Sequence, residues 1–398
     1  MIHVLMVADG RSPITLGWIR MVQSQHIQVS LITTFPCRKP EGVEQMFVVP
    51  VAFAWISGRG TKSRTASSSS DSRQMGLFKQ GFTQARHILG PLTLPFYAKS
   101  FQKIVKQVNP DVVHALRIPF EGMLASYTSH KIPLITSIWG NDLTLHASAS
   151  LAMRQFTLRC LRRSDGLQAD VQRDIRLAVR WGFHANRPSL VVPGGGGIDL
   201  EKMRRIPSLD SRFTKGVPKD TRLIVNPRGL RLYVRNDIFF EAIQPVVRVH
   251  PEAYFVCPAM VGRSEAEKWV EKYGLETNVR LLPTLTQAQL WGLFKKAEIT
   301  VSISTHDGTP NTLLEAMAQG CLPIVGDLDS LREWITPGVN GSLVPYDNPQ
   351  LLAEAIIQAL EAPDFRKNAA KINKALIEER ADVHKVGEQV LAFYQQLV

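Results

Sequence analysis

The sequence is short of acid, of cysteine and of any long apolar run. Its 398 residues include 35 Asp+Glu against 47 Lys+Arg, a formal net charge of +12 at pH 7. The deficit is local: residues 1–200 hold 23 basic and 11 acidic side chains, while the remainder holds 24 of each. Such a basic half points to an anionic surface or substrate (nucleic acid, anionic lipid or a phosphorylated acceptor) or to solubility alone. Nucleic acid is the weakest of these, because the basic residues are scattered and no recognition motif accompanies them. Cys37, Cys160, Cys257 and Cys321 are far apart and lack metal-ligand spacing. That excludes a disulfide scaffold or a zinc site and predicts buried thiols in a reducing compartment. No stretch approaches the roughly 20 apolar residues that cross a bilayer. Residues 1–7, without a basic leader, read as a first core strand, so a cytoplasmic location is expected. Internal repeats are also absent beyond a similar rhythm in the two halves.

What is present is α/β. A chain this long calls for two cores, and its 44% hydrophobic and 21% charged content suits a globular protein. Strand-like stretches at 2–7, 29–33, 110–115 and 133–142, the last two with polar ends, alternate with helical segments near 14–25, 100–108 and 151–163. The first strand runs into Ala8-Asp9-Gly10-Arg11-Ser12-Pro13, a loop that reads as a plain turn or as a phosphate contact. His114 and Asp142 fall at strand ends, where open α/β sheets place ligand-facing residues. Residues 57–76, with the serines 67–70, predict a mobile loop within the first domain. Beyond it, residues 77–82 and 88–101 mix aromatic, aliphatic and basic side chains, as in helices packed on a sheet or resting on a membrane surface. Residues 189–193 close this domain, and Gly194–Gly197 supplies a hinge, a close backbone approach, or both. A second α/β set begins at 222–229 and continues with strands at 253–257, 279–283, 299–303 and 321–325. The expected division is 1–198, 199–382 and a terminal helix over 383–398, the latter packing back toward the first domain.

The most informative stretch runs from Asp307 to Gly320 between two apolar runs, as strand, loop, short helix and strand. Thr309 is the expected N-cap, Pro310 the first helical residue and Gly320 the residue just past the end. Asp307 lies in the loop and Glu315 on the second turn, with backbone N–H groups between them at a helix N-terminus. Two carboxylates around an anion seat suit a ligand with hydroxyls on both sides of a diphosphate, which is the shape of a nucleotide sugar.

Asp307 and Glu315 have the spacing of a glutamate, seven residues and a second glutamate, with aspartate replacing the first. With Ala316-Met317-Ala318-Gln319-Gly320, residues 337–341, residues 192–199 and the Gly10 loop, this resembles the retaining glycosyltransferases of family 4 (glycosyl transferases group 1). The resemblance covers nearly the whole chain. It implies a GT-B fold, two Rossmann-like doubly wound domains facing across a cleft, with the acceptor on the first and the nucleotide sugar on the second. It implies that Glu315 accepts from ribose hydroxyls, that Asp307 contacts donor-sugar hydroxyls, and that amides near Gly308, Asn311, Thr312 and Leu313 hold the diphosphate. Arg228 matches the family's arginine at the leaving group. The lysine-glycine pair that follows it is missing; Arg235 is the expected second cation and Arg231 its rival. Base contacts are expected from the main chain near Leu282 and Pro283, and Gly10 on the donor side. Trp139 stands where many relatives have histidine, so Trp139, Asp142 and His114 are the acceptor-side candidates, His114 either catalytic or bonded within the scaffold.

The implied activity moves a sugar from a UDP- or GDP-sugar to a hydroxyl of a glycan or lipid-linked acceptor, with retention, in cell-envelope or exopolysaccharide synthesis. No cofactor or metal is expected: Asp327-Leu328-Asp329 spells a metal-binding triplet of another fold, but here reads as loop acids. An anionic membrane surface at the inner face is a further expected partner. Two other readings stay open: a non-hydrolysing nucleotide-sugar epimerase of the same fold, and a non-catalytic nucleotide-sugar or membrane-surface binding protein.

Overall fold

A computed structural model describes residues 1–54, 86, 88–207 and 221–398; the expected loop at 57–76 lies outside them. The chain forms two compact units, Met1–Gly197 with Val386–Val398, and Ile198–Lys385.

The first unit is built on seven strands, β1 (His3–Ala8), β2 (Gln28–Thr33), β3 (Met46–Val48), β4 (Val112–Ala115), β5 (Leu134–Ile138), β6 (Gly166–Ala169) and β7 (Ser189–Val191). They are parallel throughout, in the order β3-β2-β1-β4-β5-β6-β7. The second unit has six, β8 (Arg222–Val225), β9 (Ala253–Cys257), β10 (Val279–Leu281), β11 (Ile299–Ser302), β12 (Leu322–Gly326) and β13 (Ser342–Val344). These too are parallel, in the order β10-β9-β8-β11-β12-β13. Parallel strands need crossover helices on both faces, so the inner ones are buried on both sides and read as unbroken apolar runs. β4, β5, β9 and β11 are buried at every position. The order reverses between β1 and β4 and again between β8 and β11. At each reversal the loops leave in opposite directions and open a crevice at the strands' C-terminal ends.

Close backbone approach explains part of the glycine run. A Cβ on Gly17, in the helix Pro13–Ser24, would lie 2.5 Å from the Gly195 carbonyl, and one on Gly194 would lie 2.4 Å from Asp170 Oδ1. Four glycines let the chain graze that helix before the first unit ends at Gly197. In the second unit the outgoing and returning segments pair: Ile198 N donates to Ala381 O (2.7 Å) and Val383 N to Ile198 O (3.0 Å).

The C-terminal helix Val383–Gln395 carries Tyr394 into the first unit. There the tyrosine hydroxyl meets His114 Nδ1 at 2.7 Å, Ser137 Oγ meets His114 Nε2 at 2.9 Å, and Trp18 Nε1 donates to the same hydroxyl at 3.3 Å. His114 is wholly buried with both ring nitrogens engaged. It is therefore a scaffold residue, which corrects its expected place on the acceptor side and in catalysis. Desolvation lowers its pKa to about 3.

Unfolded histidine titrates near 6.5. Above that pH neither state is charged here; below it only the unfolded chain takes up the proton, so stability falls as pH drops from about 6.5 toward the folded value, by about 1.4 kcal/mol per pH unit. His114→Asn should be less stable than the parent at pH 7.5 and lose stability less steeply between pH 6.5 and 4 in denaturant titrations. Parallel pH profiles for the two proteins would contradict this assignment.

Candidate active site

The second unit's reversal gathers the residues singled out between Asp307 and Gly320. Asn226 follows β8, and its side chain shapes the turn there. Its Oδ1 accepts from Arg228 N (3.2 Å) and its Nδ2 donates to Asn236 Oδ1 (3.1 Å), while Asn236 Nδ2 donates to Gly229 O (3.0 Å). Gly229 turns with φ +61°, a conformation that favours glycine. This buried asparagine pair aims Arg228 across to the loop after β11. There Arg228 Nη2 meets Asp307 Oδ2 at 2.7 Å, with the two side chains only 6% and 13% exposed. Ser304 Oγ donates to the same carboxylate oxygen (3.1 Å), and Ser330 Oγ holds the Asp307 carbonyl (2.8 Å). Arg228 Nε is buried with no hydrogen-bond partner among the described residues.

The helix after this loop spans Asn311–Gln319, with Gly320 closing it at φ +94°. Its N-cap is Pro310, one residue beyond the expected Thr309, and Pro310 has no side chain with which to cap. Thr309 is diverted because its hydroxyl accepts from Trp334 Nε1 at 2.9 Å. Leu313 N closes back on Pro310 O (2.9 Å) and the Leu313 side chain is buried, so its amide is engaged within the turn. Asn311 and Thr312 supply the first-turn amides, which have no partner within a helix. Thr312 Oγ1 beside them is buried and unpartnered among the described residues. Gly308 is buried within the loop that leads to them.

Glu315 follows on the second turn, 4% exposed. Burial raises its carboxyl pKa; a hydrogen bond from Gln287 Nε2 (2.9 Å) and the nearby Trp291 oppose that shift only in part. Sequence reasoning missed Gln287, although the Thr286–Gln289 capping box just beside it was readable.

Arg235 is engaged elsewhere. Its guanidinium contacts both oxygens of Asp237 at 2.7–3.2 Å, and its amide donates to Ile303 O. That pair takes Nε and Nη2 and leaves Nη1 for the expected role of Arg235 as a second diphosphate cation. Arg231 is exposed and donates to the Tyr233 hydroxyl (3.0 Å). Leu282 follows β10 at the same sheet edge; its N–H donates to Cys257 O and its carbonyl accepts from Met260 and Val261. Asp327 is paired with Arg332 (2.6 Å), and no cluster of potential metal ligands occurs among the described residues.

In the first unit, Gly10 N donates to Thr33 Oγ1 (3.1 Å), and a Cβ there would lie 2.7 Å from Cys37 Sγ. The Gly10 amide is thus engaged internally, a correction to its expected donor contact. Asp142 is wholly buried and accepts from Ile118 N (3.0 Å), Trp139 N (3.1 Å) and Arg117 Nη2 (2.8 Å). It organises the loops after β4 and β5 with its carboxylate turned inward, unlike the expected acceptor-side contact. Trp139 is half-buried, with the Arg117 guanidinium 4.9 Å from its ring centroid.

Residues 209–376 match the profile of the glycosyl transferases group 1, and residues 65–170 that of the glycosyl transferase 4-like family. Both matches are to glycosyltransferase families, one on each unit, and the fold is GT-B. The chain is 25% identical over 233 residues to a phosphatidyl-myo-inositol mannosyltransferase of Mycobacterium tuberculosis, a match covering 55% of this chain and 57% of that protein. It is 27% identical over 141 residues to a GDP-mannose:cellobiosyl-diphosphopolyprenol alpha-mannosyltransferase of Xanthomonas campestris, covering 34% and 36%. The chain thus spans little more than half the length of these curated relatives, or less. The fold matches a crystal structure of Anabaena HepE in complex with UDP and glucose over 100% of both chains, with a TM-score of 0.73 at 16% identity. It also matches a sucrose-phosphate synthase from Thermosynechococcus elongatus, with a TM-score of 0.72 at 15% identity, over 100% and 99%.

A buried carboxyl with a raised pKa keeps its proton in the folded chain at pH values where the unfolded chain has lost it. The stability this gives is complete below the ordinary carboxylate range and disappears as pH rises through the folded value. Glu315→Gln removes that penalty. The ligand-free variant should melt above the parent at pH 8, with the gap narrowing toward pH 4. A parent that is the more stable protein at pH 8 would refute the account of this carboxylate.

Proposed function

We propose that this glycosyltransferase moves a sugar from a nucleoside diphosphate sugar to a hydroxyl of a glycan or lipid-linked acceptor, with retention at the anomeric carbon. The observation that carries this reading is the arrangement at the β8/β11 reversal. A buried Arg228–Asp307 pair stands before the uncapped first-turn amides of Asn311 and Thr312, with the buried Glu315 carboxyl one turn further on. In this reading the amides and Arg228 neutralise the departing diphosphate, Glu315 accepts from the ribose hydroxyls and Asp307 contacts the donor sugar. The base lies near Leu282 and Pro283, where the Leu282 N–H and carbonyl are already bonded and the Pro283 carbonyl, which accepts from Ala259 N, keeps one lone pair for it. The leaving phosphate takes the acceptor's proton, a step that needs no protein base and agrees with a buried, fully bonded His114. The donor named for the Xanthomonas relative supports a nucleotide-sugar donor.

Metal is not required in this scheme, since Arg228 and the first-turn amides carry the charge of the departing diphosphate. A cytoplasmic place in cell-envelope or exopolysaccharide synthesis belongs to the same proposal, as does docking on an anionic membrane. Among the described residues no helix is long and apolar enough to cross a bilayer. The helix Leu94–Val108, however, presents Phe96 at 84% exposure near exposed Lys99 and Lys103, with Leu92 exposed just before it. An apolar side chain beside lysines on one helix face suits the headgroup region of anionic lipid.

Thermal-shift screening against UDP, GDP and their sugars should show stabilisation by one nucleotide series. Glu315→Ala should abolish that shift and the release of nucleoside diphosphate, while a chelator should leave release unchanged. Wild-type turnover by Glu315→Ala would refute the donor assignment, and chelator loss reversed by Mg²⁺ would refute the metal-free scheme. In sedimentation with liposomes, anionic vesicles should bind the protein in a salt-sensitive way that Phe96→Ser weakens. Equal binding to neutral vesicles at any salt would count against the membrane surface.

A further inference from the structure

The first unit's reversal, between β1 and β4, carries a cluster of guanidinium groups that the donor chemistry does not use. Arg11 follows β1, Arg117 follows β4, and Arg86 comes from the segment before the helix Leu94–Val108. Each lies over an aromatic face. Arg11 is 3.7 Å from the Phe35 centroid, Arg86 is 4.6 Å from that of Phe120 and 5.1 Å from that of Phe35, and Arg117 is 4.9 Å from that of Trp139. Rings that flank a guanidinium hold it flat and leave its N–H edge for planar acceptors.

The scaffold around them is built. Phe120 sits at φ +69°, a conformation rare for a bulky residue, inside the loop Ile118–Gly122. Asp142 pins that loop through Ile118 N and holds Arg117 at 2.8 Å. Strain of this kind, fixed by a buried carboxylate, is found where a side chain must be placed.

The acids of the cluster are unevenly shared. Asp9 is bonded to Arg11 through both oxygens at 3.0 Å, and Asp142 to Arg117. Glu121, 3% exposed, accepts from Thr34 Oγ1 at 2.7 Å, and burial raises its carboxyl pKa. Arg86 donates from Nε to Ala52 O at 3.2 Å and forms no ion pair among the described residues. Arg117 Nε is buried and also unpartnered there.

We infer that Arg86, with Arg117 and Arg11, reads an anionic group, a phosphate or a uronate carboxylate, carried by the acceptor. The ring-flanked Arg86 fork is the central contact, and Asp142 and Trp139 act as positioning residues that hold Arg117 beside it. The inference rests on the proposal that the first unit binds the acceptor, and it makes acceptor charge a determinant of specificity.

The test is a calorimetric titration of the full chain with glycerol 3-phosphate and methyl glucuronide, against glycerol and methyl glucoside as neutral counterparts. Each is run alone and with UDP and GDP present to occupy the donor side. At least one anion should bind where its neutral counterpart does not, and which one binds separates phosphate from carboxylate. Arg86→Gln should weaken that anion by about tenfold or more, as for loss of a charge-assisted hydrogen bond. Arg11→Gln, at a more exposed position, should weaken it as well, which covers the case of a poorly folded Arg86 variant. Arg332→Gln, at an exposed arginine of the second unit, should leave it unchanged. Equal binding of anionic and neutral probes, binding of neither, or a loss that follows Arg332→Gln would overturn the inference. Failure of UDP and GDP to bind while the anion result stands would sink the donor reading and leave this one intact.

Discussion

The ion pair between Arg228 and Asp307 is the contact on which the candidate site of the second unit depends. It joins the loop after β8 to the loop after β11 at the point where the strand order reverses. Two nearly buried charges are desolvated there, and breaking such a pair by removing one partner costs about 3–5 kcal/mol. The site tolerates this because neither charge is left bare. Ser304 donates to the carboxylate, Ser330 fixes the loop carbonyl, and the Asn226–Asn236 pair sets the turn that delivers the arginine. In the ligand-free chain Asp307 thus stands in for an anionic ligand of Arg228. Aspartate, one methylene shorter than the family's glutamate, makes this contact while the helix Asn311–Gln319 starts at once behind it.

The same device recurs in the first unit with different parts. Arg117 and the buried Asp142 are paired at 2.8 Å across the loops after β4 and β5, again beside a reversal. In both units a carboxylate bonded to backbone or hydroxyl groups anchors an arginine whose Nε finds no partner among the described residues. A preorganised guanidinium needs little rearrangement to receive an anion, which suits the diphosphate proposed for one unit and the anionic acceptor group proposed for the other.

Much of the fold was readable because inner parallel strands must be apolar on both faces, so residues 29–33, 253–257 and 299–303 stand out as continuous runs. The helix Asn311–Gln319 was readable from its punctuation, with proline before it and glycine after it. Its cap was misplaced by one residue because Trp334, 25 positions away, takes the Thr309 hydroxyl. His114 looked like a ligand-facing residue for the same reason: its partner Tyr394 lies 280 positions on, in the last helix. Asp142 shows the converse, a strand-end acid whose three donors turn it inward. The arginine cluster was invisible in sequence, since Arg11, Arg86 and Arg117 share no motif and only the topology brings their loops to one edge. Contacts that cross the sheet order carry no local signature; those set by period and turn chemistry do.

The central claim is that the second unit receives a nucleoside diphosphate at the reversal between β8 and β11. Hydrogen–deuterium exchange with and without saturating UDP or GDP tests it most directly. The expected result is slowed exchange concentrated in residues 226–230 and 307–315, with the amides of Asn311 and Thr312 among the most protected. Protection confined to other segments, or none at saturating concentrations of either nucleotide, would contradict it.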